Sequence, residues 1–113
     1  MKIAIPATEN GWNKNVDTRF GRAKGFFIVD DENNQTEFID NNKNIKAEHG
    51  AGTSTAQMIM EAGVKTLLTN KVGPKAGSVL KAAGIKTYTG IDNITVEEAY
   101  NLYKNNKLIE QIL

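Results

Sequence analysis

The residues best equipped for chemistry in this chain are cationic, glycine-rich or hydroxyl-bearing, and they fall in three short runs. Arg19 and Arg22 flank Phe20-Gly21; His49-Gly50-Ala51-Gly52 leads into Thr53, Ser54 and Thr55; Lys71 and Lys75 flank Val72-Gly73-Pro74. Such groups hold anions, through charge, hydroxyls and backbone N–H groups that glycine leaves accessible. Catalysis would need more. There is no Ser-His-Asp constellation, no paired carboxylates and, with His49 the sole histidine, no histidine pair at metal spacing, so no catalytic residue is assigned. The run from His49 is not a Walker loop, lacking Gly-x-x-x-x-Gly-Lys, nor is it a dinucleotide fingerprint. Each residue also has a plainer reading. His49 serves equally well as a hydrogen-bonding group at a helix start, Gly50 and Gly52 as hosts of positive φ or close packing. Arg22 is as readily a surface arginine stacked on Phe20 or paired with Asp17, and Trp12 a loop anchor.

Composition narrows the field. A chain of 113 residues suits one domain, taken as 1–113, and 40% hydrophobic with 24% charged residues is ordinary for a globular protein. Fourteen basic against thirteen acidic residues give a net charge of +1, too little for a general field that would hold nucleic acid or an anionic membrane. Any anion site must be local. The absence of cysteine removes disulfides, thiolate ligands and thiol nucleophiles. The start, Met1 to Thr8, carries no signal-peptide pattern and no later run approaches spanning length, so a cytoplasmic location is expected.

The elements that must position the three runs can be read from patterning. Lys2–Ala7 is apolar on both faces and reads as a central strand. Thr8–Lys24 is a long polar stretch of the kind that is functional or mobile. Gly25–Asp30 and Thr36–Asp40 read as an antiparallel hairpin across Asp31–Gln35. After a polar connection, Asn41–Glu48, helical spacing follows at Ala56, Ile59, Met60 and Ala62, stopped by Gly63. A strand at Thr66–Thr69, a helix with Pro74 in its first turn and Gly84 past its end, and a strand at Ile85–Tyr88 form a parallel crossover. Thr95 and Glu98 make a capping box before a third helix, and Lys107–Leu113 reads as strand or helix end. The expected architecture is α/β, with helices on both faces of a five-stranded mixed sheet whose second strand runs against the rest. In that topology all three runs reach the edge where the parallel strands end, the usual ligand edge of open α/β sheets.

Asp17-Thr18-Arg19-Phe20-Gly21-Arg22-Ala23 before an aromatic strand, His49-Gly50-Ala51-Gly52 opening a helix, and Gly63-Val64 followed by Gly73-Pro74-Lys75-Ala76 together resemble the dinitrogenase iron-molybdenum cofactor biosynthesis family, which includes NifX, NafY and the carboxy-terminal part of NifB. The resemblance runs over about the whole chain. It implies a three-layer α/β/α, ribonuclease H-like fold and the carriage of an iron-sulfur or iron-molybdenum cluster precursor. It further implies His49 as metal ligand, with Arg19, Arg22, Gly50, Gly52, Thr53 and Lys75 as cofactor-binding contacts and a cluster donor or acceptor protein as partner. Without cysteine, such carriage would be transient. The fold also occurs in nucleases, but these place a carboxylate on the first strand, where this chain has Ile3, Ala4, Ile5, Pro6 and Ala7. Two readings compete with a carrier: an interaction module working through the 8–24 loop, and an enzyme acting on phosphate esters.

Overall fold

Side-chain alternation along the first two strands decides the layering of the structure, a computed structural model that describes residues 1–47 and 49–113. Strand β1 (Lys2–Ala7) sends Ile3, Ile5 and Ala7 to one face and Ala4 to the other. Its neighbour β2 (Gly25–Asp30) sends Phe27 and Val29 to the first face, Phe26 and Ile28 to the second. Both strands therefore need cover on two sides, and helices supply it. Helices α2 (Ala51–Glu61) and α3 (Pro74–Ala82) bury Ala56, Ile59, Ala76 and Leu80 on one face. On the other, α4 (Val96–Lys104) buries Val96, Ala99 and Tyr100.

The sheet order is β3-β2-β1-β4-β5-β6, with β3 at Thr36–Asp40, β4 at Val64–Leu68, β5 at Lys86–Thr89 and β6 at Ile109–Gln111. Strands β1, β4 and β5 run parallel, and β2 opposes β1 and β3. The three-layer, ribonuclease H-like arrangement is the expected one, with a correction: the sheet has six strands, not five, and β6 is a second reversed strand, antiparallel to β5. Three residues are too few for alternation to show, and Ile109 is 75% exposed, so nothing in its pattern separates β6 from a frayed end. The connection after β3 contains a short helix, α1 (Asn42–Ile45), which its polar sequence does not signal; Glu48 lies outside the described residues.

The long 8–24 stretch is half scaffold. Its first part is stitched to the body by backbone hydrogen bonds from Val16 to Ile94, Asp17 to Pro6, Val96 to Lys14 and Glu97 to Trp12. Trp12 packs its ring 4.7 Å from Phe27 and 5.4 Å from Tyr100, the anchoring role rather than a recognition one. No helix among the described residues is long and apolar enough to cross a membrane.

At the start of α4 the capping box forms in full: Glu98 N–H donates to Thr95 Oγ1 at 3.2 Å and Thr95 N–H to Glu98 Oε1 at 3.0 Å. Thr95→Ala should lower stability by about 1 kcal/mol in urea denaturation. Tyr100 gives a pH test. Burial raises its phenol above the ordinary value of 10.0, so the folded state prefers the protonated form. The stability this preference contributes is complete below about pH 10 and is lost as pH rises through the raised value. Denaturation curves should show that alkaline decline, and Tyr100→Phe should remove it.

Candidate functional site

Parallel strands place the starts of their following helices at one edge, and here two helix N-termini and one tight turn enclose a cleft of about 560 Å³. Its walls are Arg19–Arg22, Gly50–Thr53 and Lys71–Ala76. The three runs singled out in the sequence therefore meet, as the topology required.

What brings the walls together is the smallness of the residues between them. Phe20–Arg22 form a single 3₁₀ turn whose Phe20 is buried beside Phe26. A methyl group added at Gly21 would stand 2.9 Å from both Cα and N of Gly52, so only glycine lets this turn lie on the first turn of α2. Gly50 takes the left-handed conformation, φ 75°, that turns the chain into α2. A methyl group at Gly52 would meet Ala76 Cβ at 3.5 Å, placing the first turns of α2 and α3 side by side.

Both helices present donors there that have no partner among the described residues. The ladder of α2 starts with the Ser54 N–H bonded to the Gly50 carbonyl at 2.9 Å, leaving Ala51, Gly52 and Thr53 ahead of it. That of α3 starts with Gly77 to Gly73 at 2.9 Å, leaving Lys75 and Ala76. Neither helix has a side-chain cap or an acidic residue in its first turn, in contrast to α4. The two positive dipole ends are thus added to the charges of Arg19, Arg22, Lys71 and Lys75, and among the described residues no acidic side chain is in the lining.

The cations are held differently. Arg19 is forked onto Asp17, Nε to Oδ1 and an Nη to Oδ2 at 3.2 Å each, with its own N–H on Oδ1 at 3.0 Å. The Asp17 carboxylate is almost fully buried while Arg19 is two-thirds exposed, so the acid acts as a fixed mount for an outward-facing guanidinium. Its hydrogen bond and charge raise the Arg19 pKa further, keeping the group cationic. Arg22 pairs with neither Asp17 nor the Phe20 ring; it donates to the carbonyls of Ile45 and Ala47, tying the turn to the end of α1 and the chain just after it. Lys71 and Lys75 are exposed and make no ion pair among the described residues.

Of the expected site residues, Arg19, Arg22, Gly50, Gly52, Thr53 and Lys75 line the cleft. His49 is exposed and stands next to the lining, beyond Gly50. Thr55 turns away, buried and bonded to Asn41 Oδ1 at 3.2 Å. Asn41 is the residue that sequence reasoning missed. Fully buried, it donates from its N–H to Lys24 and from Nδ2 to Ala23, both at 2.9 Å, and accepts from Asn44 and Thr55, joining the turn before β2 to α2. An asparagine in a polar, apparently unstructured stretch gives no signal of such a role. Among the described residues no group of three or more His, Cys, Asp or Glu assembles to hold a metal ion.

With this geometry in hand, the sequence matches the dinitrogenase iron-molybdenum cofactor family over residues 1–106. The chain belongs to that family. An uncharacterised protein of Methanocaldococcus jannaschii is 35% identical over 111 residues, covering 96% of this chain and 89% of the relative. The apo form of the orange protein from Desulfovibrio gigas is similar at a TM-score of 0.94 and 38% identity, over 97% of this chain and 92% of its own. A NifB-like protein from Thermotoga, solved by NMR, is similar at 0.84 and 35% identity, over 96% and 91%. The family thus supplies the fold, and the cleft lies where its three glycine-bearing runs converge.

Two substitutions test how the cleft is built. Gly21→Ala should force the turn off α2 and cost about 1–3 kcal/mol, the usual penalty of overpacking. Asn41→Ala should cost a similar amount, about 1–3 kcal/mol, by orphaning Thr55 Oγ1 and the Ala23 carbonyl. Both are read by denaturant titration.

Proposed function

We propose that this protein is a non-catalytic carrier of an anionic metal cluster, an iron-sulfur or iron-molybdenum cofactor precursor, taken from a donor protein and passed to an acceptor. The observation that carries this reading is the cleft itself: four cationic side chains and two uncapped helix N-termini converge on about 560 Å³, with no acidic group in the lining among the described residues. That volume exceeds what a single small oxyanion needs. Membership of a family described by the iron-molybdenum cofactor supports a cargo of that chemical class. The orange protein was described in an apo form, a word that presupposes a loaded one.

The roles follow from how each group is held. Arg19, with Nε and one Nη held by Asp17, has its remaining Nη N–H groups left for a sulfide or oxide. Lys71 and Lys75 supply mobile charge, and the N–H groups of Gly52, Thr53 and Lys75 supply directed donors. Arg22 spends part of its fork on Ile45 and Ala47 and holds the mouth together. His49, beside Gly50, is the one imidazole within reach of the mouth and the candidate metal ligand. With no thiolate available, affinity rests on electrostatics and hydrogen bonds, which suits loading and release.

The test is an anaerobic titration with a synthetic iron-sulfur cluster anion, followed by absorbance and electron paramagnetic resonance. Uptake should weaken by about tenfold in Arg19→Ala and Lys75→Ala, and more steeply with rising salt, as expected for charge-held cargo. His49→Ala should alter the spectrum of the bound cluster. Uptake indifferent to all three substitutions would remove the reading. Trp12→Ala, which disturbs the packing on Phe27 and Tyr100, should lower stability by about 2 kcal/mol and leave uptake unchanged; loss of uptake there would favour the 8–24 loop as the working surface.

A further inference from the structure

The wall of the cleft that carries Lys71 and Lys75 is held by a residue far away in sequence. Val72 is 3% exposed and sits between the two lysines in the connection from β4 to α3. Its backbone groups have left the sheet, yet both are satisfied: the Val72 N–H donates to Gln111 Oε1 at 3.1 Å, and Gln111 Nε2 donates to the Val72 carbonyl at 3.1 Å. One primary amide thereby imitates a strand pairing. Gln111 is the last residue of β6, where it pairs with Thr87 of β5, and Leu113 just beyond packs against the core beneath α3. The other two walls are fixed from within the family segment, by Asp17 under Arg19 and by Gly21 against Gly52. This wall is fixed by a strand that lies beyond residue 106, where the family match ends.

We propose that Gln111 is a positioning residue for the anion cleft. By holding both polar groups of Val72 it sets where Lys71, Lys75 and the first turn of α3 stand relative to Arg19 and α2. The proposal rests on the cleft being the anion site. Few side chains can do this work, because the position needs one donor and one acceptor at the reach of three carbons. Asparagine falls one methylene short, a carboxylate repels the Val72 carbonyl, and a carboxylic acid in its neutral form reproduces the amide.

The experiment titrates the full chain with the same synthetic iron-sulfur cluster anion under conditions where every variant is fully folded. Gln111→Ala and Gln111→Glu should bind about 10- to 100-fold more weakly at pH 7.5, the size of loss usual when an outer partner of a site is removed. Thr95→Ala, destabilised on the opposite face, should bind like the wild type, which separates positioning from stability. Without cargo, protection of the Val72 amide against hydrogen exchange in Gln111→Glu should return to the wild-type level at matched pH as its carboxyl protonates, from an ordinary value of about 4.3. Lys71 and Lys81 in the same hollow lower that value, and Glu110 and the Val72 carbonyl raise it. At pH 7.5 hydrogen exchange at the Val72 amide should speed up in both variants without cargo. Full-strength binding by Gln111→Ala, alongside weakened binding by Lys75→Ala, would overturn the role of Gln111 and leave the cleft standing. Val72 exchange in Gln111→Glu that stays faster than wild type where the carboxyl is neutral would overturn it too. No uptake by the wild type would overturn the cleft and this proposal together.

Discussion

At Gly21 the chain lies so close to α2 that a single added methyl would stand 2.9 Å from Gly52, and the position of the cations is measured from that contact. It brings a turn carrying Arg19 and Arg22 onto the positive end of one helix, and the second helix lies alongside with Ala76 facing Gly52. Like charges gathered this way repel, and the structure bears the cost by fixing them from behind. Asp17 is buried under Arg19, the carbonyls of Ile45 and Ala47 take Arg22, and Gln111 holds the strand of chain between the lysines. A ligand of opposite charge would relieve the repulsion that remains.

The two faces of the sheet divide the labour. The face under α4 is closed by Trp12, Phe27 and Tyr100 and by a helix capped by its own residues. The face under α2 and α3 keeps both helix starts uncapped where they meet the cleft. Caps are worth about 1 kcal/mol each, and their absence at two adjoining termini is a local sacrifice of stability that coincides with the cleft.

Much of this was legible. The bounds of β1, β2 and β3 follow from their apolar patterns, the capping box at Thr95 announces α4, and Pro74 and Gly84 bracket α3. The meeting of the three runs at one edge follows from the parallel crossover alone. The residues that fix the cleft in place were not legible. Asn41 stands in a polar stretch and becomes a buried hub, and Arg22 exchanges its expected partners for two carbonyls 23 and 25 residues away. Gln111 belongs to a strand of three residues that has no periodicity to read.

The division has a physical basis. Hydrophobic periodicity, glycine and proline punctuation and caps are properties of neighbours in the chain, so the sequence by itself determined the element order, the mixed α/β sheet and the cationic, glycine-rich character of the loops. Hydrogen bonds between a side chain and a distant backbone group depend on which polar groups folding leaves without partners. That accounting exists only once the chain has closed on itself, and so the tertiary structure alone decided which cations face the cleft freely, which are tied, and that Asn41 and Gln111 hold its walls.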